Sequence, residues 1–198
     1  MKVQKLFIFI YNFLALEIIL LLFSCNPKTI DNSVKLNSLS LAVVGKLYFL
    51  APELDSAKCQ AIGACDCCAG NLLFLTDTTF VAADYCMYDD CYYKGTYVVI
   101  GNEILFQSDS LRVDKVTNEE TERDTIKFDS TPFSIQTSKY KTFKFKWTKF
   151  ECNGAIGFKS DIKEMPFATP DYEGKNNFIK SINKDSIEIK LGLNELKH

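Results

Sequence analysis

The sequence predicts an all-β fold, an antiparallel meander that can curl into a small barrel with at most one short helix. Two observations lead to this expectation. Short apolar segments rich in β-branched and aromatic residues recur along the chain, and turn-forming residues separate them. In addition, eight cysteines in 198 residues indicate a fold that disulfides staple together, provided that the chain is exported.

The first predicted elements lie between residues 41 and 63. Residues 41–50 are apolar and rich in β-favouring side chains, so they predict a buried strand that stops at Pro52. Residues 52–63 predict the one short helix. Pro52 suits the first turn of a helix, and Gly63 suits the position after its end.

The clearest strand signals follow from residue 71 onward. Residues 72–75 and 80–85 predict two strands, and the polar residues 76–79 predict the turn that joins them. Gly101 and Asn102 predict a two-residue hairpin turn after the strand that precedes them. Glycine adopts the positive φ of such a turn at no steric cost, and asparagine tolerates it better than most residues.

The second half of the chain shows alternation of apolar and polar residues. Residues 111–116 and 126–128 predict strands on the two sides of a charged loop, residues 117–124. Further half-buried strands are predicted where apolar side chains occupy alternate positions, namely at Phe133 and Ile135, at Phe143, Phe145 and Trp147, and at Ile187, Ile189, Leu191 and Leu193.

The N-terminal segment has the organisation of an export signal. Lys2 and Lys5 precede an apolar run, residues 6–23, which ends in the sequence Leu22-Phe23-Ser24-Cys25. This ending resembles the lipobox of bacterial lipoproteins, in which the cysteine is acylated and becomes the new N-terminus. The alternative is an uncleaved membrane anchor, and Glu17 within the run argues against it because an acidic residue is costly in a membrane span.

The lipobox resemblance implies a cellular location and a domain organisation. Residues 1–24 would be a lipoprotein signal peptide, Cys25 would carry palmitate, and the polar residues 25–38 would form a flexible tether. Residues 39–198 would form a single β domain, since the 174 residues after the signal suit one domain. The protein would be attached to the envelope membrane by its lipid. In well-studied bacterial lipoproteins, an aspartate directly after the lipidated cysteine retains the protein at the inner membrane. This chain has Asn26 at that position, which favours the outer membrane.

The composition of the chain argues against several classes of function. The first 24 residues carry a net charge of +1, so the remainder of the −2 chain carries −3, with no concentrated basic stripe for nucleic acid. The one histidine, His198, is the last residue, which leaves histidine-dependent catalysis without its key member. We therefore expect a protein that is not an enzyme, binds no nucleic acid and needs no cofactor.

The cysteines after Cys25 are candidates for disulfides. They are seven, an odd number, so at least one is expected outside intrachain pairs, and the possible pairings number 105. Cys86 and Cys91 flank a short loop, and a disulfide between them is expected to close this loop. The disulfide candidates are Cys59, Cys65, Cys67, Cys68, Cys86, Cys91 and Cys152.

Two other chemistries remain open for the cysteine-rich segment. A copper or zinc site would use soft sulfur ligands, with the candidates Cys65, Cys67, Cys68, Cys86, Met87 and Cys91. A redox centre would use the Cys-x-x-Cys from Cys65 to Cys68, although that motif normally opens a helix within a βαβ unit, which the sequence does not predict.

A series of motifs in residues 44–110 resembles the N-terminal domain of the NlpE copper-resistance lipoproteins. The motifs are Val44-Gly45-Lys-Leu-Tyr, Cys65-Asp-Cys-Cys68-Ala-Gly70, Leu73-Phe-Leu-Thr-Asp-Thr-Thr-Phe80, Lys94-Gly-Thr-Tyr97 and Glu103-Ile-Leu-Phe106. The resemblance implies a lipocalin-like barrel on an outer-membrane lipoprotein, with Cys65 and Cys68 at the positions of a motif linked to copper tolerance. The expected function is non-catalytic binding or sensing in the envelope, with a small ligand or an envelope protein as partner. Copper or zinc binding is the alternative.

Overall fold

The computed structural model describes five ranges of the chain, residues 38–63, 69–86, 89–117, 133–152 and 154–196. The predictions for residues 1–37 and for Cys25, Cys65, Cys67, Cys68 and Met87 fall outside these ranges. So do most of the predicted charged loop and the predicted strand at residues 126–128. Within the described ranges, no helix is long and apolar enough to cross a membrane.

The described part of the chain is mostly β-structure. Its strands are β1 (Leu47–Ala51), β2 (Glu53–Asp55), β3 (Gln60–Ile62), β4 (Ala69–Phe74), β5 (Thr79–Tyr85), β6 (Asp89–Ile100), β7 (Glu103–Thr117), β8 (Phe133–Lys139), β9 (Lys144–Cys152), β10 (Ala155–Ser160) and β11 (Phe167–Pro170). Its helices are α1 (Ser38–Val43), α2 (Lys175–Lys184), α3 (Ile187–Leu191) and a 3₁₀ turn at Asn194–Leu196.

Eight strands form a closed antiparallel barrel in the order β1-β4-β5-β6-β7-β9-β10-β11, and β11 returns to pair with β1. Each strand of the ring lies beside the next ring strand in the sequence, so the barrel has an up-and-down topology. The β2–β3 hairpin is inserted between β1 and β4. Strand β8 is inserted between β7 and β9 and pairs with the far half of β7. The predicted all-β barrel is confirmed.

The barrel interior is filled mainly by aromatic side chains. Phe106 on β7 stacks on its cross-strand partner Phe145, with ring centroids 4.4 Å apart. Trp147 is fully buried, with ring centroids 4.9 Å from Phe106 and 5.3 Å from Phe158. Such ring pairs contribute about 0.5–1.5 kcal/mol each beyond the burial of their area. An eight-stranded barrel is just wide enough for side chains to fill it.

The turns predicted at the ends of the strongest strands are present. Gly101 has a φ of +59° in the β6–β7 turn, which is the conformation that this turn requires. In the β4–β5 turn, the Thr76 hydroxyl oxygen accepts hydrogen bonds from the backbone N–H groups of Thr78 and Thr79, at 3.2 and 3.1 Å. This side-chain turn sets the register of β4 with β5.

A second apolar core lies on the outside of the barrel. Leu73, Val81 and Tyr92 point outward from β4, β5 and β6 and are buried against Phe178 and Ile182 of helix α2. The two helical residues are four positions apart, so they lie on one face of the helix. Helix α3 adds Ile187 and Leu191 to the same core. The C-terminal helices therefore cover part of the outer face of the sheet.

The prediction of a strand over residues 187–193 is wrong. Ile187 and Leu191 are buried but Ile189 is 67% exposed, because the segment forms helix α3 rather than a strand. A spacing of four residues places Ile187 and Leu191 on the same side of either a helix or a strand, so periodicity alone does not separate the two. Ser186 before the helix and Gly192 after it both adopt left-handed conformations.

Two expectations for the N-terminal part of the domain also need correction. Residues 41–50 are not one strand, because α1 ends at Val43, Gly45 turns the chain with a φ of +72°, and β1 begins only at Leu47. Residues 52–63 form the β2–β3 hairpin instead of a helix. With three α-helices in the described chain, the limit of one short helix was also too low.

We predict that Gly95→Ala destabilises the protein by about 1–3 kcal/mol, the usual cost of overpacking. An added Cβ at Gly95 would overlap the backbone oxygen of Gln107 and lie 2.8 Å from the Phe80 ring. Urea unfolding measures the effect. Gly63→Ala is the control, since its Cβ would make ordinary contacts at 3.6 Å or more, and we expect a change within about 0.5 kcal/mol. Equal stability of the two variants would contradict the described packing.

Candidate ligand-binding groove

A disulfide ties the inserted hairpin to the far end of strand β9. Cys59, in the turn between β2 and β3, is bonded to Cys152, 93 positions later in the chain. Closing a long loop removes conformational freedom from the unfolded chain, and such a bond stabilises a fold by roughly 2–4 kcal/mol. The predicted disulfide stapling is therefore present at this pair, and it joins two segments that are distant in sequence.

The hairpin is also held by hydrogen bonds. The backbone N–H of Ala61 on β3 donates to the buried Thr169 hydroxyl on β11, at 2.9 Å. Within the hairpin turn, the Asp55 carboxylate accepts hydrogen bonds from the backbone N–H groups of Ala57 and Lys58, at 2.9 and 3.1 Å. The hairpin thus lies over the outer side of β1 and β11, fixed at one point by a covalent bond and at another by a buried hydrogen bond.

A groove lies beside this hairpin, with a volume of about 570 Å³. We call it the disulfide groove, and its lining residues are Phe49, Lys58, Cys59, Gln60, Cys152, Ala155, Thr169, Pro170, Asp171, Tyr172 and Glu173. Small-molecule sites commonly measure about 300–1,000 Å³. The groove therefore has the size of a small-ligand site, and it lies outside the barrel rather than within it.

The walls of the groove combine rings with polar groups. Phe49 is half-buried on the outer face of β1, whereas the Tyr172 side chain is 75% exposed after the end of β11. Lys58 brings one positive charge, and Asp171 and Glu173 bring two negative charges. The Asp171 carboxylate is held in place because its Oδ1 accepts a hydrogen bond from the Gly174 backbone N–H at 2.8 Å. The groove can offer both a flat apolar surface and hydrogen-bonding groups.

A cluster of charged, aromatic and thiol groups lies at another place, where β5, β6 and β7 pair. Asp84, Cys91 and Asp114 are cross-strand neighbours in one row, and Tyr93 and Arg112 are neighbours in the next. The Tyr93 hydroxyl donates to Asp84 at 3.3 Å. We call the set the Arg112 cluster, and it contains Asp84, Cys91, Tyr93, Arg112, Asp114, Tyr140 and Phe143.

The Arg112 guanidinium lies among aromatic rings. Its central carbon is 4.4 Å from the centroid of the Tyr140 ring and 5.2 Å from that of Phe143. Its Nη1 donates to the Cys91 sulfur at 3.8 Å. Cation–π contacts of this kind stabilise by about 0.5–2 kcal/mol depending on their exposure. The rings thus hold a charged group against the rim of the barrel core.

The surroundings of Cys91 make its thiol a poor nucleophile and a poor metal ligand. Burial is the main reason that the pKa of Cys91 is raised to about 12. The Arg112 charge lowers this pKa, whereas Asp114 and Asp84 raise it. Because the thiolate is the form that attacks disulfides and binds metals, this thiol is inert near neutral pH. Cys91 is the free thiol among the described cysteines, so the expected pairing of Cys86 with Cys91 is wrong.

The copper or zinc alternative stays a prediction. Cys65, Cys67, Cys68 and Met87 lie outside the described residues, Cys86 is disulfide-bonded, and Cys91 has the raised pKa described above. Within the ranges that the structure describes, no group of three or more histidine, cysteine, aspartate or glutamate side chains could hold a metal ion.

Sequence reasoning named Cys59 and Cys152 of the groove and Cys91 of the Arg112 cluster as disulfide candidates, but it did not identify either place as a site. Tyr172, Asp171 and Glu173 occur in a short polar stretch that no motif distinguishes, and a groove formed by pairing across 93 positions leaves no local signal. Arg112 was a polar position in a predicted strand. A signal for Arg112 was nonetheless available. The even-numbered residues Ile104 and Phe106 of β7 point into the barrel, and Arg112 is also an even-numbered residue of this strand.

We predict that Asp84→Asn raises stability at neutral pH. Burial raises the pKa of Asp84 from 3.8 to about 6, while the Tyr93 hydroxyl and Arg112 lower it. The folded protein therefore holds this proton more tightly than the unfolded chain, and stability falls as the pH rises from about 4 to about 6. The variant should lose this dependence and gain about 2 kcal/mol at pH 7.

Urea unfolding between pH 4 and pH 8 measures the effect of Asp84→Asn. The matched control is Asp77→Asn, which removes an exposed carboxylate from the β4–β5 turn and should leave the wild-type curve in place. An equal fall in stability between pH 4 and pH 6 in the wild type and in Asp84→Asn would refute the buried carboxylate.

Comparisons with known proteins give one distant likeness. No protein-family model matches the chain, and no curated protein matches it. Among solved structures, the chain is similar to a streptavidin-like protein from Bacteroides eggerthii DSM 20697, with 15% sequence identity and a TM-score of 0.46. The likeness covers 71% of this chain and 88% of that protein's chain.

Proposed function

We propose that the protein is an exported lipoprotein of the cell envelope whose barrel is a non-catalytic binding module, and that a small ligand binds in the disulfide groove. The groove itself carries the proposal. It has a volume of about 570 Å³, and its walls offer rings and charged groups together. A site of this size with a few convergent polar groups is the usual form of a small-molecule site.

The rigidity of the groove supports a binding role. One wall is the Cys59–Cys152 disulfide, and the floor includes Thr169, whose buried hydroxyl holds the hairpin through Ala61. A preformed site binds more tightly because less conformational freedom is lost on binding. The filled interior of the barrel supports the same location, since Trp147 and its neighbouring rings occupy the space that a central ligand would need.

The disulfide also supports export. Disulfides persist in oxidising compartments such as the periplasm and the cell surface, and they are rare in the cytosol. Together with the sequence Leu22-Phe23-Ser24-Cys25, the Cys59–Cys152 bond favours a protein that matures outside the cytosol. The lipid on Cys25 would then attach the chain to the membrane, with the outer membrane as its expected location.

We predict that Cys25→Ser abolishes lipid attachment in the native host. The wild-type chain should begin at Cys25, incorporate labelled palmitate and fractionate with the outer membrane, because acylation requires the cysteine sulfur. Mass analysis of the N-terminal peptide and palmitate labelling check this. Cys91→Ser is the matched control and should remain lipidated. A wild-type protein that retains residues 1–24, or label that persists after Cys25→Ser, would contradict the export proposal.

We predict that the protein isolated from its host under native conditions carries a small molecule that a groove-filling substitution displaces. Ala155 lines the groove, so Ala155→Trp should occupy part of the volume and reduce ligand occupancy at least tenfold. Native mass spectrometry measures the added mass. Val98→Trp is the control, because Val98 is exposed on β6 and is not among the groove residues. Equal occupancy in both tryptophan variants, or no bound molecule in the wild type, would refute a ligand in this groove.

A further inference from the structure

We infer that the disulfide groove binds a saccharide, with the ring of Tyr172 as its stacking surface. The inference rests on the proposed binding function and names the class of ligand. Three features of the groove lead to it: an exposed ring, polar groups of both hydrogen-bonding kinds, and a rigid floor.

Tyr172 supplies the flat surface. Its side chain is 75% exposed although it is a large aromatic residue, and it stands at the edge of the groove between Asp171 and Glu173. A tyrosine ring offers a rigid apolar face at a small cost in conformational entropy. The C–H face of a pyranose ring is apolar and of similar size, so it can lie on such a ring while its hydroxyl groups point away from it.

The polar groups match the hydroxyl groups of a sugar. Each hydroxyl both donates and accepts hydrogen bonds. Glu173 and the second oxygen of Asp171 can accept, Lys58 can donate, and Gln60 can do both. Hydrogen bonds to charged partners are shorter and stronger than those between neutral groups. Four side chains around one groove can therefore form hydrogen bonds with several hydroxyl groups of one sugar ring or of two linked sugar rings.

The charged groups of the groove disfavour anionic ligands and purely apolar ligands. Asp171 and Glu173 repel an inorganic anion or a phosphate ester, since Lys58 is the one positive charge of the lining and lies 3.9 Å from the Asp55 carboxylate. A purely apolar ligand would remove these charged groups from water without giving them hydrogen bonds, which costs free energy. A neutral ligand rich in hydroxyl groups satisfies both carboxylates and the lysine at once.

The floor is built for a fixed geometry. The Cys59–Cys152 disulfide and the buried Thr169 hold the hairpin against β11, and Pro170 ends that strand with a restricted backbone. Saccharides form many modest hydrogen bonds, each sensitive to direction. A rigid floor keeps the surrounding groups in place without further loss of conformational entropy on binding.

The test uses the mature protein and an array of soluble oligosaccharides that covers hexoses, N-acetylhexosamines and uronic acids. Titration calorimetry then measures the affinity for each oligosaccharide that binds. We expect Tyr172→Ala to weaken binding at least tenfold and Tyr172→Phe to retain the affinity within about threefold, because phenylalanine keeps the ring. Tyr140→Ala removes another exposed tyrosine, outside the groove, and should bind like the wild type.

Two results would overturn the inference. One is that no oligosaccharide of the array binds to the wild type. The other is that Tyr172→Ala binds as tightly as the wild type, while thermal unfolding shows both to be folded. A non-saccharide mass displaced by Ala155→Trp would leave the proposed binding function in place and refute the saccharide, so the two failures are distinguishable.

Discussion

The pairing of β6 with β7 is the contact on which the rest of the structure depends. These strands form the hairpin that turns at Gly101 and Asn102, and β7 also pairs with β9, which closes the ring. Closure leaves the barrel strands without free edges and encloses one aromatic core. Gly95 favours it, because a side chain at this position would overlap Phe80 and the backbone of β7. Without this closure, neither the groove nor the outer core would have a fixed base.

The filled interior has a consequence for function. Side chains from all eight ring strands meet inside, and the rings around Trp147 leave only the outer surface for the proposed binding. The two insertions and the C-terminal helices supply that surface. The β2–β3 hairpin folds over β1 and β11 and creates the disulfide groove, whereas α2 and α3 cover β4, β5 and β6. One barrel thus carries the groove of the proposed ligand site on one side and a stabilising layer on another.

Local signals in the sequence predicted most of the barrel strands but neither β10 nor β11, and they did not predict which cysteines pair or where the groove lies. The turn at Gly101 and Asn102 and the alternation at Phe145 and Trp147 depend on neighbouring residues, so their patterns were sufficient. The Cys59–Cys152 bond could not be chosen among 105 arrangements, because it is set by tertiary pairing. The segment that forms helix α3 was predicted as a strand, because the four-residue spacing of its two buried residues fits the periodicity of a helix and also that of a strand. The groove around Tyr172 depends on segments that meet only after the barrel closes.

The filled barrel is tested most directly by collisional quenching of Trp147 fluorescence with acrylamide. Trp147 is the only tryptophan in the chain, and its side chain is fully buried among rings of β1, β4, β7 and β10. We predict a short-wavelength emission, with quenching several-fold weaker in the native protein than in urea, and no change when a ligand occupies the groove. Native quenching as strong as that of the unfolded chain would contradict a packed interior, and with it the assignment of binding to the outer surface.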